Sequence, residues 1–365
     1  MAHGLEERNG KFSFAENGSR ERAWHGLGEV VNEPMFVADA LKLCRADYNV
    51  ALQPIVALPQ NLVNAMDNGE MINASILRDL LVDGKMATMR TDLNTALGIV
   101  SEDYGTVQNE FAFKFVDTLC SGMNSDRDHH PTIECCGVLG KGERVFITCK
   151  MPEDIILNPR TDDRIETYVV FTTSHDGTGA VRCMVTNVRV VCSNTLNWAM
   201  KHNSGRIAFR HSSKVMSRLD LLNKENAEFA YRTLGLWNEY EKSFKESLEH
   251  LRNVKLAERD LDNIIAEITL ADEAKKAFLE TRNIEHEDIK TRGRNIFLGM
   301  KEAMESGIGQ DILERGTALW AMNGITTYFQ NEANFKNQEV MFDNMMDGGV
   351  YKKVNKAYEM MLVAA

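Results

Sequence analysis

Proline is confined to the first part of this chain. All six prolines lie at or before Pro159, and the residues after it contain none. Proline removes a backbone donor and breaks helices and central strands, so a long stretch without it permits long regular elements. The sequence therefore predicts an α+β fold, in which an antiparallel sheet meander packed with helices is followed by a long helical C-terminal region.

The expected domain organisation is linear. We expect an N-terminal arm at residues 1–34, an α+β core domain at 35–204 and a helical domain at 205–365. The glycines of Trp24–Gly28 permit a tight bend, so the arm is expected to fold against the body or to dock on a neighbouring protomer.

Alternating apolar residues and turn signals predict two hairpins in the core domain. The first joins Thr132–Leu139 to Val145–Lys150, and the second joins Ile165–Thr173 to Ala180–Val191 through a link that contains Asp-Gly. A helix is expected to follow at Asn194–His202. The earlier elements are predicted as helix Met35–Ala46, strand Tyr48–Leu58, helix Ala65–Val82, strands Met86–Arg90 and Ala96–Ser101, and helix Glu110–Cys120 with Asn109 as N-cap.

The C-terminal region shows the periodicity of amphipathic helices. Apolar positions recur every three or four residues from Val215 to Leu251, which predicts one long helix with a solvated opposite face. Further helices are predicted at Leu261–Ile268, Ala271–Thr281, Asn295–Ser306, Thr317–Phe329 and Tyr351–Leu362.

The seven cysteines predict neither a disulfide framework nor a metal site. Their number is odd, the chain is long, and no Cys-x-x-Cys spacing occurs. His129 and His130 precede Cys135 and Cys136, but adjacent cysteines in an extended segment face opposite ways and chelate one metal poorly. We therefore expect free, mostly buried thiols, no bound metal and no cofactor.

Charge and hydropathy exclude some classes of protein. The N-terminal residues lack the pattern of a signal peptide, and no apolar run approaches the ~20 residues that cross a bilayer. The net charge of −11 and the pI near 5.4 are not those of a general nucleic-acid coat, which would be basic throughout. We expect no membrane partner and a cytoplasmic location in a bacterial host.

One stretch departs from this acidic balance. Residues Gly177–Leu219, which we call the basic segment, contain seven basic side chains and no acidic one. Such a local concentration of positive charge suits a sugar-phosphate backbone, and aromatic side chains among the charges can stack on bases. The candidates for nucleic-acid binding are Arg182, Arg189, Trp198, Lys201, Arg206, Phe209, Arg210, Lys214 and Arg218.

The spacing within the basic segment predicts a cationic ridge. Arg206, Arg210, Lys214 and Arg218 step by four, so a helix that begins near Gly205 would align them. Like charges at this spacing repel each other, which indicates an anionic partner. That partner is a nucleic acid, the acidic C-terminal helices of the same chain, or a neighbouring subunit.

The start of the predicted helix after the second hairpin is a second candidate site. Asn194 and Thr195 would present backbone amides at a helix N-terminus, which is a natural place for an anion. The alternative is ordinary capping of that helix.

A third candidate site lies in the link of the second hairpin. His175 and Asp176 could act as acid and base or bind a metal, with Glu166 or His25 as a further group. The alternative is a turn in which Asp176 caps a backbone amide and the following glycine adopts positive φ.

Four segments of the chain resemble a known family. They are Trp24–Gly28, Tyr104–Asn109, Ser174–Gly177 with Arg189–Leu196, and Thr317–Tyr328. Through them the chain resembles, from about Trp24 to Ala357, a family of phage and plasmid proteins catalogued as domain of unknown function 932. In that family the fourth segment continues to an acidic residue and a histidine, whereas this chain has Gln330-Asn331, so no role is carried over there.

The resemblance implies a part in mobile-element DNA metabolism. A meander followed by a helix is similar to the core of single-strand annealing proteins, which form rings or filaments. With the basic segment, this leads us to expect a homo-oligomeric single-stranded DNA-binding protein that anneals strands in phage or plasmid recombination. The alternatives are a metal-dependent nuclease or hydrolase that uses His175 and Asp176, and a structural or host-interference protein of a phage.

Overall fold

The structure, a computed structural model, describes residues 5–18, 27–121, 131–158, 163–189, 194–195, 206–212, 214, 242–336, 340–341, 344–345 and 348–363. The chain divides into two units, each assembled from separate stretches. Unit 1 comprises Met1–Lys150, Val170–Met184 and Ile207–Tyr231, and unit 2 comprises Met151–Val169, Val185–Arg206 and Arg232–Ala365. The linear division into arm, core and helical domain stays a prediction.

An eight-stranded sheet contains both predicted hairpins. In chain order the strands of the protein are β1 (Glu7–Arg8), β2 (Lys11–Phe12), β3 (Phe14–Asn17), β4 (Glu29–Val31), β5 (Val50–Val56), β6 (Leu81–Arg90), β7 (Thr95–Ser101), β8 (Thr132–Leu139), β9 (Arg144–Asn158), β10 (Asp163–Ser174), β11 (Val181–Arg189), β12 (Asn194–Thr195) and β13 (Arg206–Phe209). The order in the sheet is β12-β11-β10-β9-β8-β3-β4, and β13 also pairs with β11. The hairpins β8–β9 and β10–β11 are therefore confirmed.

Two of the strands replace predicted helical starts. Asn194–Thr195 pairs antiparallel with β11 through Arg189↔Asn194, so the helix predicted to begin at Asn194 is wrong at its first residues. Arg206–Phe209 also pairs with β11, so the helix predicted from Gly205 is wrong there. The physical reason is that β10 occupies only one side of β11, and hydrogen bonding to its other side outweighs local helix propensity.

A smaller antiparallel sheet of unit 1 has the order β5-β6-β7. Helices α2 (Gln60–Asp67) and α3 (Ala74–Arg78) lie in the connection between β5 and β6, after α1 (Val37–Leu43). The helix predicted at Ala65–Val82 is wrong, because Gly69 adopts φ +78 after α2 and Leu81 already pairs with β5. Helix α4 (Asn109–Ser121) packs against α1, and α1 also packs against β8, as the apolar face of each predicts.

The C-terminal part of unit 2 is helical, as predicted. Its helices are α5 (residues 242–253), α6 (Glu258–Thr269), α7 (Asp272–Thr281), α8 (Thr291–Ser306), α9 (Ala318–Thr327) and α10 (Gly349–Val363), and a π-helical turn at Tyr328–Glu332 continues α9. In α5 the predicted apolar positions Phe244, Leu248 and Leu251 are buried. The rest of the predicted long helix, at 215–241, lies outside the described residues. Across the described ranges, no helix has the length and apolar composition that spanning a membrane requires.

Candidate functional site

Two of the four resemblance segments meet in unit 1. Tyr104 Oη donates a hydrogen bond to the Ser174 carbonyl at 3.1 Å. Five residues further on, Asn109 Oδ1 lies 2.8 Å from His175 Nε2, while its amide nitrogen donates to the Ala46 carbonyl at 2.8 Å. The Asn109 side chain is thus hydrogen-bonded both to the hairpin link, at His175, and to Ala46, which follows α1. Asn109 and His175 are 66 residues apart in sequence.

His175 is fully buried and fixed by its backbone as well as its ring. Its exposed fraction is 0%, and its backbone N–H donates to the Glu143 carbonyl at 2.7 Å. Because the Asn109 amide nitrogen is used by Ala46, the Asn109 oxygen accepts from His175, which places the ring proton on Nε2. Burial lowers the pKa of His175 to about 3, so the imidazole is neutral at pH 7.

Asp176 builds the turn that the Asp-Gly signal predicts. Its Oδ1 accepts from the backbone N–H of Thr178 at 2.9 Å and from Ser174 Oγ at 2.5 Å, and Gly177 adopts φ +81. Burial raises the pKa of Asp176, but these hydrogen bonds outweigh it and the net pKa is lowered. The predicted turn is confirmed, with the carboxylate held inside it.

The strand β7 lies directly against this turn. A Cβ atom on Gly98 would come within 2.5 Å of the Asp176 Cα and carbonyl oxygen, and one on Gly177 within 2.9 Å of Val100 Cγ1. The backbone contact at Gly98 leaves no room for a side chain there, and at Gly177 the positive φ of +81 favours glycine. The link is therefore clamped between the small sheet and the β8–β9 hairpin, which contributes the Glu143 carbonyl.

The structure describes one of the two groups that were expected to assist His175 in acid–base or metal chemistry. His25 lies outside the described residues, and the Glu166 carboxylate accepts from Tyr168 Oη at 2.5 Å. Within the described part of the chain, no group of three His, Cys, Asp or Glu side chains could hold a metal ion. The site of His175 and Asp176 is a buried, hydrogen-bonded turn.

A second histidine anchors the strand of the basic segment. His211, two residues after β13, stacks on the Tyr104 ring with centroids 5.0 Å apart and planes 10° apart. Its Nδ1 lies 3.1 Å from the Gly105 carbonyl, an acceptor, so Nδ1 carries the proton. Burial lowers the pKa of His211, so the stack joins a neutral imidazole to the neutral Tyr104 ring.

The basic candidates fall into described and undescribed groups. Arg210 and Lys214 are exposed on either side of His211, and Arg182 is half-buried in β11. The backbones of Arg189, Asn194, Thr195, Arg206 and Phe209 lie in β11, β12 and β13. Trp198, Lys201 and Arg218 lie outside the described residues. The predicted helical ridge is wrong at Arg206, and Asn194 and Thr195 lose the helix N-terminus on which their anion site depended, because all three belong to strands.

A buried ionic cluster in unit 1 was not predicted. Arg90 has an exposed fraction of 0%, forms ion pairs with Glu6 and Asp92, and lies 3.8 Å above the centre of the Tyr48 ring. Tyr48 Oη donates to the Gly142 carbonyl at 2.7 Å, and the Tyr48 ring meets the His175 ring edge-on. A strand-end arginine gives no local signal of such burial, so only the tertiary structure reveals it.

The fourth resemblance segment meets the second part of the third in unit 2. Helix α9, which carries the fourth segment, packs against β12 of the third. Every residue of α9 is buried, including the polar Asn323, Thr326 and Thr327. The fourth segment is therefore part of a packed core that contacts the strand formed by the third.

One comparison with known proteins gives a match. A model of the family described as "Domain of unknown function (DUF932)" matches residues 96–347. This range contains the second, third and fourth resemblance segments, whereas Trp24–Gly28 precedes it. No curated protein and no solved structure matches the chain.

Proposed function

This chain belongs to the DUF932 family, whose description names no activity, and from its own charge distribution we propose that it binds single-stranded DNA through the basic segment. The observation that carries the proposal is seven basic and no acidic residues in Gly177–Leu219 of a chain with net charge −11. An acidic body repels a polyanion everywhere else, so binding is confined to this segment.

The fold supports this proposal through the placement of β13. Strands β12 and β13 share the side of β11 that β10 leaves open, so the basic segment contributes to the margin of the large sheet. The stack of His211 on Tyr104 holds the residue that follows the exposed Arg210, and Lys214 is exposed three residues further on. A backbone that is already held at His211 loses less conformational freedom on meeting a phosphate chain than a free loop does.

The process that such binding would serve is annealing of complementary strands during phage or plasmid recombination, in the cytoplasm of the bacterial host. The work is non-covalent: basic side chains neutralise phosphates, and a homo-oligomeric ring or filament presents a long strand to its complement. No cofactor is required for it.

The test is the salt dependence of oligonucleotide binding by the full chain. Each neutralised phosphate contributes a log–log slope of about −0.7 on single strands. The variant Arg210→Ala/Lys214→Ala should therefore weaken binding and flatten the slope by about 1.4, as measured by fluorescence anisotropy between low and moderate salt.

A matched control removes two exposed cations elsewhere. Lys276→Ala/Lys290→Ala makes the same change in net charge at exposed positions of unit 2 and should leave the slope unaltered. Equal slopes for wild type and the Arg210/Lys214 variant would reject the proposal.

The two alternatives give different results in the same assay. A metal-dependent nuclease would cleave labelled DNA on addition of a divalent metal and lose that activity on His175→Ala. An assembly contact would leave DNA unshifted, and the charge reversal Arg210→Glu would instead change the oligomeric state.

A further inference from the structure

The six described cysteines are free thiols, as expected, but they are not equivalent. Cys44, Cys136, Cys149 and Cys183 are buried, whereas Cys120 and Cys135 are half-buried. The Sγ atom of Cys135 lies 2.8 Å from Thr148 Oγ1, so its half-buried thiol is hydrogen-bonded to a hydroxyl. Cys120 contacts a second thiol instead.

Cys120 lies in the last turn of α4 and touches the central part of β9. Its Sγ donates to Cys149 Sγ at 3.8 Å, and Cys149 has an exposed fraction of 0%. A disulfide has an S–S bond of about 2.05 Å. The two sulfurs, which are 3.8 Å apart, therefore need to come closer by less than about 2 Å to form the bond. A half-buried cysteine is thus in contact with a fully buried one.

We propose that Cys120 and Cys149 form an oxidation site that reacts with a peroxide to give a reversible intramolecular disulfide. The proposal is independent of DNA binding, because none of its atoms belongs to the basic segment.

The chemistry divides between the two sulfurs by their exposure. The Cys120 thiolate attacks one peroxide oxygen, the O–O bond breaks, water or an alcohol leaves, and Cys120 becomes a sulfenic acid. Cys149 sulfur then attacks the Cys120 sulfur, the S–O bond breaks, and the hydroxyl leaves as water with the Cys149 proton. Two thiols are oxidised and one peroxide is reduced, and a thiol reductant reverses the change.

Because Cys149 is buried, we assign to it the second step, the attack on the Cys120 sulfenic acid. Burial raises the pKa of Cys149 well above its ordinary value, so this sulfur remains a thiol and is protected from solution oxidants. It becomes reactive only towards an electrophile formed in contact with it. Cys183, which lies near Cys149, is also buried and its pKa is likewise raised by burial.

The chain contains a matched pair of thiols for comparison. Cys44 and Cys136 interact with each other, yet both have an exposed fraction of 0% and both donate to backbone carbonyls, of Leu41 and Ala40. If contact between two thiols were sufficient for oxidation, Cys44 and Cys136 would form a disulfide as readily as Cys120 and Cys149. If one thiol of a pair must be accessible to the peroxide, Cys44 and Cys136 would remain reduced.

The experiment is a hydrogen peroxide titration of the reduced full-length chain. Remaining thiols are alkylated, and peptides are mapped by mass spectrometry without reduction. We expect one cross-linked peptide pair that joins Cys120 to Cys149, with two thiols lost per chain, and its disappearance after dithiothreitol. Recovery of both thiols in alkylated form, or a different cross-link in place of this one, overturns the proposal.

Single substitutions separate the roles of the two sulfurs. Cys149→Ser should abolish the cross-link and leave a sulfenic acid at Cys120 that dimedone traps, whereas Cys120→Ser should abolish both products. Cys44→Ser should leave the cross-link at its wild-type yield. Circular dichroism of each reduced variant verifies its fold, and loss of the cross-link in a folded Cys44→Ser variant would contradict the assignment.

Discussion

Helix α9 and the helices α2 and α3 differ completely in burial. All ten residues of α9 are buried, whereas α2 and α3 bury none of theirs. Gly324 in α9 lies so close to α8 that a Cβ atom there would come within 2.7 Å of Met304 Cα. In contrast, the connection that holds α2 and α3 leaves Met66 52% exposed and Met71 100% exposed. The two regions show that regular helix formation says little about how much a helix contributes to stability, because burial decides that contribution.

The largest expected effect of a substitution is therefore in α9. Trp320→Ala removes a side chain that is 5% exposed, and it should lower the free energy of unfolding by about 3–5 kcal/mol, since the loss of burial adds to a cavity. Denaturant unfolding followed by circular dichroism measures the change. A loss below about 1 kcal/mol would mean that the core around α9 collapses to fill the space, and that burial is a poor guide here.

Acidification should produce the next largest effect per pH unit, because protonation places a charge on a buried side chain. The folded pKa of His175 is about 3 and its ordinary value is 6.5, so the unfolded chain binds the proton more tightly. Stability is then complete above pH 6.5 and falls as pH decreases towards 3, by at most about 1.4 kcal/mol per pH unit from this residue. His211, whose pKa burial also lowers, acts in the same direction.

Unfolding free energies at a series of pH values test this expectation. His175→Gln keeps a polar side chain for Asn109 and should reduce the slope below pH 6.5. His250→Gln, at an exposed position of α5, controls for the loss of a histidine. Identical slopes in wild type and His175→Gln would show that another group governs the acid response.

The smallest effect is expected in α2. Met66→Ser replaces an exposed apolar side chain with a polar one, and the free energy of unfolding should change by no more than about 0.5 kcal/mol, because little burial is lost. Thermal unfolding beside Trp320→Ala measures the contrast. A destabilisation as large as that of Trp320→Ala would show that α2 is covered in solution, and the comparison with α9 would fail.

Local sequence patterns were sufficient to predict those elements whose conformation depends mainly on their own residues. The hairpins β8–β9 and β10–β11 follow from alternation and glycine turns, and the helices from Glu258 onward follow from a 3.6-residue apolar period. The turn at Asp176 was predictable for the same reason, since Asp-Gly acts within a few residues. The antiparallel meander and the helical C-terminal region are accordingly confirmed.

Prediction failed where a distant partner decides the conformation. Asn194–Thr195 and Arg206–Phe209 carry no strong strand pattern and become strands because β11 offers unpaired backbone groups. Helix patterning missed the break between α2 and α3, where Asn73 Oδ1 accepts from the Ser75 backbone and starts a new helix. The burial of His175 against Asn109 could not be read from either local sequence, since it depends on a contact across 66 residues.

Tyr104 belongs to two contacts at once, because its hydroxyl holds the Ser174 carbonyl and its ring supports His211. A displacement of His211 would thus be transmitted to the Ser174 carbonyl through the Tyr104 side chain, in addition to the pairing of β13 with β11. That side chain couples the segment after β13 to the β10–β11 loop, so a shift of one favours a shift of the other.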